Sequence, residues 1–188
     1  LELVRKAKSE GLPVTCDVGA HHLHLTDADI GFFDSNARMV PPLRSQRDRD
    51  AIREALADGT VDAICSDHTP VDDDEKLLPF GEASPGATGL ELLLSLSLKW
   101  AEDHLKSKNG LSKAIARITC DAARVAGIDA GKLSLGSIAD VCIFDPEARW
   151  TVDESTWLSA GRNTPYWGQQ LAGRVTHTLP AGRVVFEA

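Results

Sequence analysis

Val61-Asp62-Ala63-Ile64-Cys65-Ser66-Asp67-His68-Thr69-Pro70 (61–70) decides the fold. Its first half is a short run of the kind that forms a buried strand. Its second half delivers Asp67 and His68 directly beyond the strand end, ahead of Pro70. Upstream, residues 46–57 place Ile52, Ala55 and Leu56 on one helical face, with Ser45 as N-cap and Asp58-Gly59 as the stop. Further upstream, Val14 to Val18 is β-rich and ends at Gly19, and residues 1–11 carry Leu1, Val4 and Ala7 at helical spacing before Gly11. Helix, strand, helix, strand with short connections implies a parallel sheet of α/β class.

Downstream, a Pro- and Gly-rich loop spans 66–88, and helices are expected from about Leu90 to Lys106 and from Ser112 to Ala126. Beyond Gly127 the character changes. Leu133 to Phe144 and Gly173 to Phe186 are β-rich with glycine turns, which divides the chain into an α/β part (1–127) and a β-module (128–188). Two or three strands cannot cover their own faces, and a parallel sheet is buried on both sides. The chain therefore reads as a piece of a larger fold, its open face covered by missing residues or by another copy.

The net charge of −8 argues against nucleic acid or an anionic membrane surface as main partner. No apolar run approaches the length of a membrane span. Cys16, Cys65, Cys120 and Cys142 show no C-x-x-C spacing and read as buried reduced thiols of a cytoplasmic protein.

Two clusters could carry chemistry, each directly after a strand, where parallel α/β folds gather functional groups. In His21-His22-Leu23-His24, the histidines are either metal ligands or loop residues bonded to backbone and water. In Ser66-Asp67-His68, a carboxylate can bind a metal and take a proton from a water that the metal acidifies, or it can be a turn residue before Pro70. Asp72-Asp73-Asp74-Glu75 lacks the alternating spacing and glycine of a calcium loop and reads as a solvated loop. The helix through Leu90–Trp100 is core, and Trp150, Trp157 and Trp167 are packing residues of the β-module. His21 and Asp67 alone cannot complete a zinc centre, which needs three or four protein ligands.

Taken in order, these segments resemble the dihydroorotases of the amidohydrolase superfamily. Val14 to Asp27 (VTCDVGAHHLHLTD) is similar to their sixth-strand segment, Met39 to Arg44 (MVPPLR) to NPPLR, and Asp62 to Pro70 (DAICSDHTP) to the eighth-strand TDHAPH. Gly86 to Leu90 (GATGL) resembles the following glycine loop. Gly136-Ser137-Ile138-Ala139-Asp140 and Asn163-Thr164-Pro165-Tyr166-Trp167-Gly168 resemble the superfamily's tail. The resemblance implies the C-terminal half of a metal-dependent (β/α)₈ barrel, about strands 6 to 8, plus a β-module. It implies Zn²⁺ and the interconversion of dihydroorotate and N-carbamoyl-aspartate in pyrimidine biosynthesis. By position, His21 would be the sixth-strand zinc ligand and Asp67 the metal-binding acid/base. The first-strand HxH pair, the bridging residue and the fifth-strand His would come from the other half.

The substrate side departs from the pattern. The asparagine of NPPLR is Val40, the last histidine of DHAPH is Val71, and Pro-Phe-Gly reads Ser84-Pro85-Gly86, so that Pro85 and Gly86 stand at that contact. Each polar partner left unpaired costs roughly 1–3 kcal/mol. The pattern also resembles inactive dihydroorotase-like proteins that serve as structural partners of aspartate transcarbamoylase.

Overall fold

The structure is a computed structural model that describes residues 1–105 and 109–188. Helix α1 (Glu2–Ser9) leads to strand β1 (Asp17–Gly19), helix α2 (Gln46–Asp58) to strand β2 (Ala63–Cys65), and β1 and β2 pair in parallel with Asp17 opposite Ala63 and Gly19 opposite Cys65. The expected helix–strand–helix–strand order is therefore present, though each strand is three residues long. Ser45 caps α2 by accepting from the Asp48 amide at 3.3 Å, and Gly59 closes it in the left-handed conformation.

Residues 20–37 hold three 3₁₀ turns, Ala20–Leu23, Asp27–Ile30 and Ser35–Ala37. The second is fixed by a capping box between Thr26 and Asp29. The acidic run is likewise one turn of helix, α3 (Asp73–Lys76), capped by the Asp72 carboxylate, and its acidic residues are solvent-exposed.

Helix α4 (Leu93–Trp100) continues as a π-helical turn, Ala101–Leu105; the expected end at Lys106 lies outside the described residues. The helix expected over 112–126 is two, α5 (Gly110–Ile118) and α6 (Cys120–Ala126), because Thr119 leaves helical backbone (φ −128°, ψ −98°). Leu92, Leu96 and Trp100 are fully buried, as expected of a core helix.

The β-module is antiparallel, in the order β3 (Val141–Thr151), β4 (Gln170–Leu179), β5 (Phe186–Glu187). Extended pairing starts at Val141, not Leu133. Residues 133–140 form turns, and Leu133 and Leu135 are exposed. The module is seated on α4. Ser95 Oγ donates to the Gly173 carbonyl at 2.9 Å, and Trp150 Nε1 lies 3.1 Å from Ser95 Oγ. Trp150 is buried, and Trp157 packs against Trp167 with ring centres 5.4 Å apart. All four cysteines are free thiols, but burial is only partial: Cys16 and Cys65 are half-buried and Cys120 and Cys142 are exposed. Cys120 opens α6 on its solvent side and Cys142 lies on the open face of β3. No helix among the described residues is long and apolar enough to cross a membrane.

Candidate active site

Parallel pairing sends the chain out of β1 and β2 at the same edge, so the 20–45 and 66–92 segments meet there. Asp67 stands two residues beyond β2 with φ 47°. Left-handed backbone is uncommon for a residue with a Cβ, though Asp tolerates it better than most. Its Cβ and Oδ2 both lie 3.2 Å from where a Gly19 Cβ would stand, and His22 Nδ1 lies 3.2 Å from the same point. A glycine at the end of β1 therefore lets the two segments close up beside the carboxylate.

His21 is fully buried. Its ring stacks on Tyr166 with centres 5.7 Å apart, and neither nitrogen has a hydrogen-bond partner among the described residues. Burial, reinforced by His22, His24 and His68, pushes its pKa down to about 4. The ring is thus neutral near pH 7, the form that ligates metals. Gly89 forms the opposite wall: a Cβ there would collide with the Ser66 carbonyl and stand 2.7 Å from His21 Nε2. The other histidines are committed to backbone. His22 Nε2 is 2.9 Å from the Pro41 carbonyl oxygen, and His24 Nε2 donates to that of Leu96 at 2.8 Å. His68 Nδ1 accepts from the amides of Gly89 and Leu90, each at 3.2 Å.

Val40, Val71, Pro85 and Gly86, the positions the resemblance would place beside substrate, lie on the same loops. Val40 is exposed and precedes a cis peptide bond to Pro41. The Val71 amide donates to Asn163 Oδ1 at 3.1 Å. Asn163 Nδ2 donates to the carbonyls of Thr69 (2.9 Å) and Gly86 (3.2 Å), while the Gly86 amide donates to the Arg38 carbonyl (2.8 Å). Pro85 is half-buried beside it. Lys76 completes the arrangement. Its buried ammonium donates to the carbonyls of Ser35 (2.9 Å) and Ser84 (2.8 Å), tying the two loops together.

Asn163, Tyr166, Lys76 and the paired roles of Gly19 and Gly89 were not singled out from the sequence. Asn163 and Tyr166 sit inside the NTPYWG stretch, whose only sequence signal was its resemblance to a tail motif. At Cys65, the last residue of β2, burial and a hydrogen bond to Asp17 push the thiol up to about 12, away from the thiolate form.

Among the described residues, no three His, Cys, Asp or Glu side chains converge to hold a metal. A neutral, unbonded imidazole and a carboxylate are nonetheless the right donor types for one. The residues fit part of a ligand set.

An α/β part carrying its polar groups beyond parallel strands, joined to an antiparallel module, is the architecture of metal-dependent amidohydrolases. The amidohydrolase family model matches residues 2–185, and the chain belongs to that family. Within it the chain is dihydroorotase-like. It is 42% identical over 187 residues to a dihydroorotase of Geobacter metallireducens, covering 100% of this chain and 43% of that protein. It is 47% identical over 186 residues to a dihydroorotase of Anaeromyxobacter dehalogenans, covering 98% of this chain and 42% of that protein. Among solved structures, the L-hydantoinase (dihydropyrimidinase) of Arthrobacter aurescens is 30% identical with a TM-score of 0.88, and a D-hydantoinase is 26% identical with a TM-score of 0.86. Each match covers 99% of this chain and 42% of the solved one. The chain thus spans less than half the length of its relatives and is a part of the (β/α)₈ amidohydrolase fold, with its β-module attached.

Proposed function

We propose that this chain is the C-terminal half of a zinc-dependent dihydroorotase, with residues 1–127 closing the barrel and 128–188 its tail module. The observation that carries the proposal is Asp67, held in left-handed backbone at the strand end, against Gly19 and beside His22. A zinc ion held there would supply an acidified water and polarise the ring carbonyl. Asp67 Oδ2 takes the proton of the attacking water and delivers it to the departing ring nitrogen, which opens dihydroorotate to N-carbamoyl-aspartate; the reverse order closes the ring. His21, neutral and unbonded, is the second donor this chain offers, and the remaining ligands come from the rest of the barrel. That remainder also covers the open face of the β1–β2 sheet. Free thiols and the absence of a membrane-length helix among the described residues suit a cytoplasmic protein.

Val40 and Val71 support a second reading. An exposed aliphatic side chain at Val40, where a polar substrate contact is expected, suits a homologue that has lost turnover and assembles with aspartate transcarbamoylase. The test is to assay the whole protein for zinc and for dihydroorotate turnover. Zinc-dependent turnover at ordinary enzyme rates supports the first reading; a zinc-free, inactive protein that co-purifies with aspartate transcarbamoylase supports the second.

A further inference from the structure

Asn163 lies in the connection between β3 and β4, yet its side-chain bonds go to two loops beyond β2. Oδ1 accepts from the Val71 amide at 3.1 Å, and Nδ2 donates to the carbonyls of Thr69 at 2.9 Å and Gly86 at 3.2 Å. The backbone carbonyl of Asn163 accepts from the Thr88 amide at 2.9 Å. A side-chain amide has one accepting and one donating end, so these partners are met in one orientation only. The residue is 2% exposed, so water does not readily replace a lost partner. Gly161 brings the same connection against both loops. A Cβ there would stand 2.7 Å from Pro70 Cβ and 2.9 Å from Thr88 Cγ2. Between themselves the loops share the bond from the Thr69 amide to the Ala87 carbonyl, 2.9 Å.

We infer that Asn163 is a positioning residue: from the β-module it sets the spacing of loops 69–71 and 86–88, and with it the substrate side of the site. The inference rests on reading Asp67, Val71 and Gly86 as parts of a dihydroorotase site. It makes the β-module part of the recognition apparatus. The turn at Asp67 has its own support, because His68 Nδ1 accepts from the amides of Gly89 and Leu90, each at 3.2 Å. Loss of the Asn163 side chain therefore lets the two loops part while the carboxylate keeps its place. Such a change weakens binding of the substrate in ground state and transition state alike, which raises KM and spares kcat.

The test uses the whole, zinc-loaded protein and its Asn163→Ala variant. Two readouts are taken: dihydroorotate kinetics, and hydrogen exchange of individual backbone amides. KM is expected to rise about tenfold while kcat per folded enzyme stays within about threefold. The Val71 amide is expected to exchange at least about tenfold faster, with the paired amides of β3 and β4 unchanged. A residue that only holds the fold together would lower kcat with the folded fraction and leave KM alone; that result overturns the inference. Wild-type exchange at Val71 overturns it equally. If Asn163→Ala does not fold, Gly161→Ala takes its place, since its methyl pushes the connection away from Pro70 and Thr88. The same KM rise and local exchange are expected, and wild-type values in both overturn the inference. A wild type that turns over no dihydroorotate sinks the proposed function, and the exchange pattern then decides the loop spacing by itself.

Discussion

Asp67 and Asn163 show how single residues set the site. Asp67 occupies a backbone region that costs of order 1 kcal/mol or more for a residue with a Cβ, and such outliers gather at functional sites. Asn163 uses both ends of its amide, accepting from Val71 and donating to Thr69 and Gly86. Asn163→Asp is expected to destabilise the whole protein, because a carboxylate cannot donate to the two carbonyls. Each partner left unpaired costs roughly 1–3 kcal/mol, and urea unfolding measures the sum. A midpoint equal to wild type would contradict the assignment. Gly89→Ala tests the other wall. Its methyl would collide with the Ser66 carbonyl and press on His21, and overpacking of this kind costs about 1–3 kcal/mol. Thermal unfolding reads the loss; an unchanged Tm would mean that the wall yields.

At the scale of elements, α4 joins the two parts of the chain. Leu96 is fully buried, and its carbonyl receives the His24 ring, while the neighbouring Ser95 bonds to β4. Leu96→Ala is expected to cost roughly 2–5 kcal/mol. Chemical denaturation should show the barrel part and the β-module losing stability together. Loss confined to one of them would contradict the joint seating. The elements were largely legible in the sequence because Ser45, Gly59 and the alternation of helix and strand are local signals. Strand lengths were not, since β1 and β2 are set by where parallel pairing ends. No hydrophobic period announces the break at Thr119, and the 3₁₀ turns of 20–37 lean on the local caps at Thr26 and Asp34. The placement of Asp67 and His21, each just past a strand, was legible in the sequence. It was not legible for Lys76 or Asn163, whose role depends on loops distant in sequence coming together.

At the scale of the whole molecule, His21 and His24 are held neutral, burial being the main cause that pushes each down to about 4. An unfolded histidine titrates near 6.5. Between those values the unfolded chain binds protons that the folded chain does not, so stability present above about pH 6.5 is lost as pH falls toward 4. The loss is of order 3 kcal/mol for each histidine at most. Urea midpoints measured across this window should fall, and a flat profile would contradict the burial of both rings. Because the described residues do not complete a metal site, the isolated 188-residue chain is expected to show no zinc-dependent turnover.

The account turns on Asp67 as the proton-carrying group of a dihydroorotase site. The direct measurement is dihydroorotate turnover by the whole, zinc-loaded protein and by its Asp67→Asn variant. The account predicts turnover in the first and a loss of at least about a hundredfold in kcat in the second, with zinc content quantified in both. Equal turnover in the two proteins, or none in a fully zinc-loaded wild type, would contradict it.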